Sequence, residues 1–155
     1  MKLSWIIAGL LALFLIILLN LVGPLKGSTN SDFSDELQPG NNPLPACPDS
    51  PNCVRISKKI SSDPSSLFDI LPQILGEMGA EKIDQASQTL QTDAVFRIPV
   101  FGFRDDFNVR IEAHKNGDSV LHISSRSRVG RGDLGVNRRR VNTFINSLDI
   151  FIQNS

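Results

Sequence analysis

The residues best suited to chemistry crowd into one stretch, Arg126-Ser127-Arg128-Val129-Gly130-Arg131-Gly132-Asp133-Leu134-Gly135-Val136-Asn137-Arg138-Arg139-Arg140, in which six of fifteen residues are Arg. Glycine-rich backbone opening a helix, flanked by guanidinium groups, offers N–H donors and planar forks to an anion. Phosphate, a lipid headgroup or the carboxylates of a protein partner fit that chemistry. The candidate anion- or partner-binding residues are therefore Arg126, Arg128, Gly130, Arg131, Asp133, Asn137 and Arg138, joined by Asp106 from the strand before. A structural reading competes: Asp133 caps the helix, the glycines permit a tight turn, and Arg128 and Arg138 pair with Asp105 or Asp106. Gly130-x-Gly132-x-x-Gly135 also spells a dinucleotide fingerprint, but that motif needs a second parallel strand after its helix, and the residues up to Ser155 do not supply one.

Other chemistry is sparse. Two Cys and two His cap any metal site, and zinc would have to recruit His114 and His122 beside Cys47 and Cys53. Asp105 and Asp106 are neighbours on a strand and point to opposite faces, which makes them a poor acid/base pair. No Ser sits in a recognisable nucleophile elbow. No catalytic residue, metal ligand or cofactor is assigned, and an enzyme is the weaker expectation. Sixteen basic against sixteen acidic residues give a formal net charge of zero. A nucleic-acid binder would show a basic excess, so nucleic acid is not an expected partner.

The elements that position these residues begin with an apolar run, Trp5 to Val22, broken only by Asn20. Eighteen residues of helix span roughly 27 Å, close to a hydrocarbon core. The run predicts a single-pass transmembrane helix, a signal anchor, over residues 5–22 behind a cytoplasmic stub, 1–4. A cleaved signal peptide is the other reading, but its apolar region is shorter and ends in small residues. Lys2 and the amino terminus on one side, against Lys26 on the other, favour the N-terminus inside and the domain outside. The expected location is the inner membrane, with a periplasmic domain. Residues 23–46, rich in Gly, Pro, Asn and Asp, read as a flexible linker, and the folded domain runs from 47 to 155. It opens with Cys47-Pro48-Asp49-Ser50-Pro51-Asn52-Cys53. Two Cys in a turn-rich stretch of an exported domain suggest a disulfide closing a small loop; free thiols are the alternative.

Asp63-Pro64 is a helix opening, followed by Leu67, Ile70, Leu71, Ile74, Leu75 and Met78 at helical spacing. Pro72 should kink that helix or delay its start, and Gly79 should stop it. Residues 90–100 alternate as a strand, as do 106–114, and Lys115-Asn116-Gly117 turns the chain into a further strand. A three-residue loop with Gly117 left-handed pairs Ile111 with Leu121 and Val109 with Ile123; a one-residue slip would invert every side chain. This register sets Asp106 opposite Arg126, Arg110 opposite His122 and Asn108 opposite Ser124, with Arg97 close by. That polar face is either solvated or a contact surface. A last helix starts near Asp133 or Asn137, with Val141, Phe144, Ile145, Leu148, Phe151 and Ile152 as its apolar stripe. The predicted fold is α+β: an antiparallel sheet of about four strands with both helices on its Phe-rich face.

Three segments, Cys47 to Val54, Phe103-Arg104-Asp105-Asp106-Phe107 and Ser127 to Arg138, occur in this order in a family that the chain resembles, the bacterial and plastid domain of unknown function 1499. The resemblance covers Cys47 to about Leu148. It implies an exported or membrane-anchored protein and no particular activity. Arg55-Ile56 stand where small hydroxyl residues are usual, and Gly132 stands where Ser is usual. The expectation is a membrane-tethered, non-enzymatic binding or assembly module using the Arg-rich turn and the polar sheet face. Its expected partner is a protein, or else an anionic small ligand or phospholipid headgroup.

Overall fold

The computed structural model describes Ile7 and residues 9–14, 42–98 and 102–154. Its strands are β1 (Cys53–Ile60), β2 (Lys82–Ala86), β3 (Gln91–Arg97), β4 (Arg104–Ala113) and β5 (Ser119–Ser127), and its domain helices are α1 (Pro64–Glu77) and α2 (Val136–Gln153). The strands form one antiparallel sheet in the order β1-β5-β4-β3-β2.

The hairpin between β4 and β5 sets the register from a local cause. Asn116 and Gly117 take φ of 63° and 81°, conformations that Gly and Asn adopt at low cost. The three-residue turn they close pairs Ile111 with Leu121 and Val109 with Ile123. Asp106 faces Arg126, Asn108 faces Ser124 and Arg110 faces His122, as the alternation requires.

The sheet has five strands where about four were expected, because neither β1 nor β2 carries a clean alternation. Lys58 of β1 stands on the helix-facing side, where its ammonium reaches Asp149 of α2 at 3.2 Å. β2 is an edge strand in which only Ile83 is even half-buried, in keeping with short, charged edges that resist pairing with other chains.

Asp63 caps α1, accepting from Ser65 N and Ser66 N. Pro72 lies inside the helix without delaying its start. A proline at 72 has no N–H to give the Phe68 carbonyl, and Gln85 Nε2 supplies the missing donor at 3.0 Å. Leu67, Leu71, Ile74 and Leu75 of α1 and Val141, Phe144 and Leu148 of α2 are buried with the sheet's Phe107, Val109, Leu121 and Ile123 in one core. Phe107 is central, its ring 5.9 Å from that of Phe96 and 5.2 Å from that of Phe144.

The other sheet face is only partly solvated. His122 and Ser124 are buried there, beside residues 42–44. Asn42 Nδ2 donates to the Ile56 carbonyl and to Ser57 Oγ, and Arg55 Nε donates to the Leu44 carbonyl. Packing therefore already includes Asn42, within the stretch that composition assigns to the tether.

Among the described residues no helix is long and apolar enough to cross a membrane. Ile7 and residues 9–14 are helical, with Ile7, Leu10, Leu11, Leu13 and Phe14 exposed. The rest of the predicted membrane segment 5–22, the stub 1–4 and residues 23–41 of the tether lie outside the described residues.

Candidate functional site

Three segments far apart in sequence meet at one end of the sheet. The first is the loop closed by the disulfide Cys47–Cys53, Cα atoms 5.6 Å apart. The second is the start of β4, and the third is the connection from β5 into α2. Asn137, fully buried in the first turn of α2, holds them together. Its Nδ2 lies 3.0 Å from the Asn52 carbonyl, 2.9 Å from Ser127 Oγ and 2.8 Å from Asp133 Oδ2. Its Oδ1 accepts from Ser125 Oγ and Arg140 Nη1. Asn52, also buried, extends the network: its Nδ2 donates to the Gly130 carbonyl at 2.6 Å, and its Oδ1 accepts from Ser50 Oγ. A buried polar network of this kind stabilises only when each member is satisfied, and it then fixes geometry closely.

The start of α2 is already occupied. Gly135, the residue before the helix, is left-handed at φ 77° and has no side chain to cap with. Asp133 acts instead, accepting from Gly135 N at 2.9 Å and from Asn137 N at 2.7 Å. An internal carboxylate thus sits where an external anion was expected to bind the helix N-terminus. Asp133 and Asn137 are part of the frame, and Asn137 is fully buried.

The arginines divide sharply. Arg128 Nη2 lies 2.6 Å from Asp106 Oδ1, which raises the Arg128 pKa above its ordinary value. Arg104 forks onto Glu81 through Nε and Nη2, and that guanidinium holds the Glu81 carboxyl below the usual range. Of the two acids expected to pair with Arg128, it is Asp106 that does so, and Asp105 is met by Arg140. The pair is 2.9 Å apart, both side chains are nearly buried, and the guanidinium lies over the Phe96 ring, 4.7 Å from its centroid. Burial pushes the Arg140 pKa down, and Asp105 opposes that shift. Arg139 Nη1 donates to the Leu134 carbonyl. Arg126 and Arg131 make no side-chain hydrogen bond or ion pair among the described residues, and both are exposed.

Arg126, Arg128, Gly130 and Arg131 line an open cleft of about 460 Å³, walled on its other side by Pro48 and Ser50 of the disulfide loop. Arg138 stands elsewhere, in a groove of about 480 Å³ with Pro51, Val54 and Leu134. Of the expected site residues, the structure gathers Arg126, Arg128, Gly130 and Arg131 around one cleft, places Asp106 behind Arg128, and separates Arg138. Sequence reasoning missed Ser50 and Asn52. Nothing local marks a partner for Asn52 that lies 78 residues away.

A second polar cluster lies on the outer sheet face. Ser57 Oγ is 2.8 Å from His122 Nδ1, and Glu112 Oε2 is 3.4 Å from Nε2, an ion-pair distance without hydrogen-bond alignment. Ser57 Oγ also accepts from Asn42 Nδ2, so the hydroxyl is committed on both sides, under the segment that Arg55 clasps. Desolvation lowers the His122 pKa, with Glu112 opposing and Arg110 and Arg55 adding to the shift. The cluster braces residues 42–44 against β1. Arg55 is the arm of that clasp.

Fold and site together define a small α+β domain whose arginine-lined end is built on a buried amide network. Residues 43–148 match the family described as a protein of unknown function, DUF1499, and the chain belongs to that family. No curated protein matches the chain.

Proposed function

We propose that this chain is a membrane-tethered, non-enzymatic binding module, and that the cleft between the disulfide loop and the Gly130 turn receives an anionic group of its partner. One observation carries the reading. Arg126 and Arg131 flank that cleft without an acidic partner among the described residues, while Arg104, Arg128 and Arg140 nearby are each paired. Guanidinium groups left unpaired beside a concave, rigidly braced surface are poised for bidentate recognition of carboxylate or phosphate. The tether is the apolar segment 5–22; the exposed Ile7, Leu10, Leu11, Leu13 and Phe14 within it match a helix that is apolar all round. In this reading the segment sits in the inner membrane and the domain outside it, where a disulfide persists.

The test is a thermal-shift titration of the full chain in non-ionic detergent with inorganic phosphate, pyrophosphate and a short acidic peptide. A ligand that binds only the native state raises stability by mass action. Wild type is expected to gain stability with at least one of the three, and Arg126→Ala/Arg131→Ala to gain none. Equal behaviour of the two proteins would contradict the reading.

A further inference from the structure

The loop that carries the cleft also carries two bare aliphatic side chains. Leu134 is 84 % exposed, more than any other large apolar residue among the described residues, and Val129 is 57 % exposed. Leu134 is also one of three non-glycine residues with positive φ among the described residues, at 52°. The left-handed region penalises any residue with a Cβ, and here the conformation is locked. Arg139 Nη1 holds the Leu134 carbonyl at 2.9 Å, and the Asp133 carboxylate just before it holds the N–H groups of Gly135 and Asn137 just after it. A strained backbone that points an apolar side chain into water gains nothing for the isolated fold; the gain comes when that side chain leaves water.

We infer that the loop 128–135 is a membrane-surface anchor, in which Val129 and Leu134 enter the interface of a bilayer while Arg126 and Arg131 take the phosphate groups of anionic phospholipid. The inference rests on the cleft reading above and names the ligand. Aliphatic tips interleaved with guanidinium groups are the chemistry of interfacial binding to anionic lipid, where apolar insertion and electrostatic attraction add. A bilayer suits the site better than an acidic protein because the same chain carries the apolar segment 5–22. A domain joined to a bilayer by some twenty residues meets its phosphate plane at high effective concentration. The anion site is the arginine cleft and not the start of α2, which Asp133 closes.

The full chain is reconstituted in vesicles of phosphatidylcholine alone and of phosphatidylcholine with phosphatidylglycerol, carrying a nitroxide at Leu134→Cys. Because Cys47 and Cys53 are joined, the new thiol is the single labelling site. Collision of the nitroxide with oxygen, which concentrates among acyl chains, is compared with collision with a water-soluble nickel chelate. The oxygen-to-chelate ratio at 134 is expected to rise severalfold when phosphatidylglycerol is present. The rise should disappear in the Arg126→Ala/Arg131→Ala background, and a label at Ile150→Cys, on the exposed side of α2, should stay aqueous throughout. A label at 134 as accessible to the chelate as one at 150 in both lipids overturns the inference. Insertion that ignores both phosphatidylglycerol and the two arginines overturns it as well. If 134 stays aqueous while phosphate still stabilises the wild type through Arg126 and Arg131, the lipid falls and the cleft reading stands; if both responses are absent, both fall.

Discussion

The two helices of this domain begin in opposite ways. α1 solves its terminus locally: the Asp63 carboxylate takes the N–H groups and hydroxyls of Ser65 and Ser66, two and three residues away. α2 has no cap at the residue before it. It borrows Asp133 from the preceding loop, and Asn137 in its first turn reaches a carbonyl 85 residues away. The first arrangement stabilises a helix. The second stabilises a surface, because the groups that complete the start of α2 are the same groups that hold the disulfide loop against the Gly130 turn. A protein that needs a rigid cleft at one end of a sheet gains it by making a helix terminus depend on distant chain.

The contrast is broken most severely by Arg140→Ala. That change leaves Asp105 charged and nearly buried without its partner, and loss of one member of a buried pair costs about 3–5 kcal/mol. Urea unfolding should show this as a large fall in midpoint, while Asp105→Leu/Arg140→Met should lie much closer to wild type. Asn137→Ala follows. It takes one of two donors from the Asn52 carbonyl, which keeps the Ser127 N–H, and removes the acceptor of the Ser125 hydroxyl, and roughly 1–3 kcal/mol should be lost, together with the anion response of the cleft. Cys47→Ser/Cys53→Ser opens a small loop worth about 2 kcal/mol by chain entropy, and calorimetry should find both a lower melting temperature and weaker anion stabilisation.

Two smaller effects concern pH and the self-contained helix. His122 has a folded pKa below its ordinary 6.5 because burial disfavours the charged ring. Below that value the unfolded chain takes up a proton that the folded chain refuses. Stability is therefore complete above about pH 6.5 and declines as the pH drops toward the depressed folded value. His122→Asn should flatten that slope in melting curves recorded between neutral and mildly acid pH. Asp63 has a lowered pKa, first through its hydrogen bond from Ser65 and then through Ser66 N. Its contribution is present above the ordinary value of 3.8 and is lost as pH falls through the depressed one. Asp63→Ala should lower the melting temperature slightly and leave anion binding intact, which sets α1 apart from α2.

How legible each part was follows from where its causes lie. The α1 boundary, the β4–β5 register and the stripe of α2 rest on neighbours within a few residues, and the sequence displays them. β1 and β2 were not visible, because Lys58 occupies an inward position by reaching Asp149, and β2 has one half-buried residue to mark it. The Arg-rich turn was visible as a composition. Which carboxylates were already engaged was not: Arg140 takes Asp105, and Asp133 closes the helix start. Those outcomes depend on which carboxylate a fold brings within reach, and periodicity carries no information about that.

The central claim is that Arg126 and Arg131 are held ready for a partner and do not support the fold. Equilibrium urea unfolding of Arg126→Ala/Arg131→Ala beside wild type, both without ligand, tests it most directly. The account predicts superimposable midpoints and slopes, since neither side chain has a partner among the described residues. A midpoint lowered as far as that of Arg140→Ala would mean that these two arginines are structural, and would contradict it.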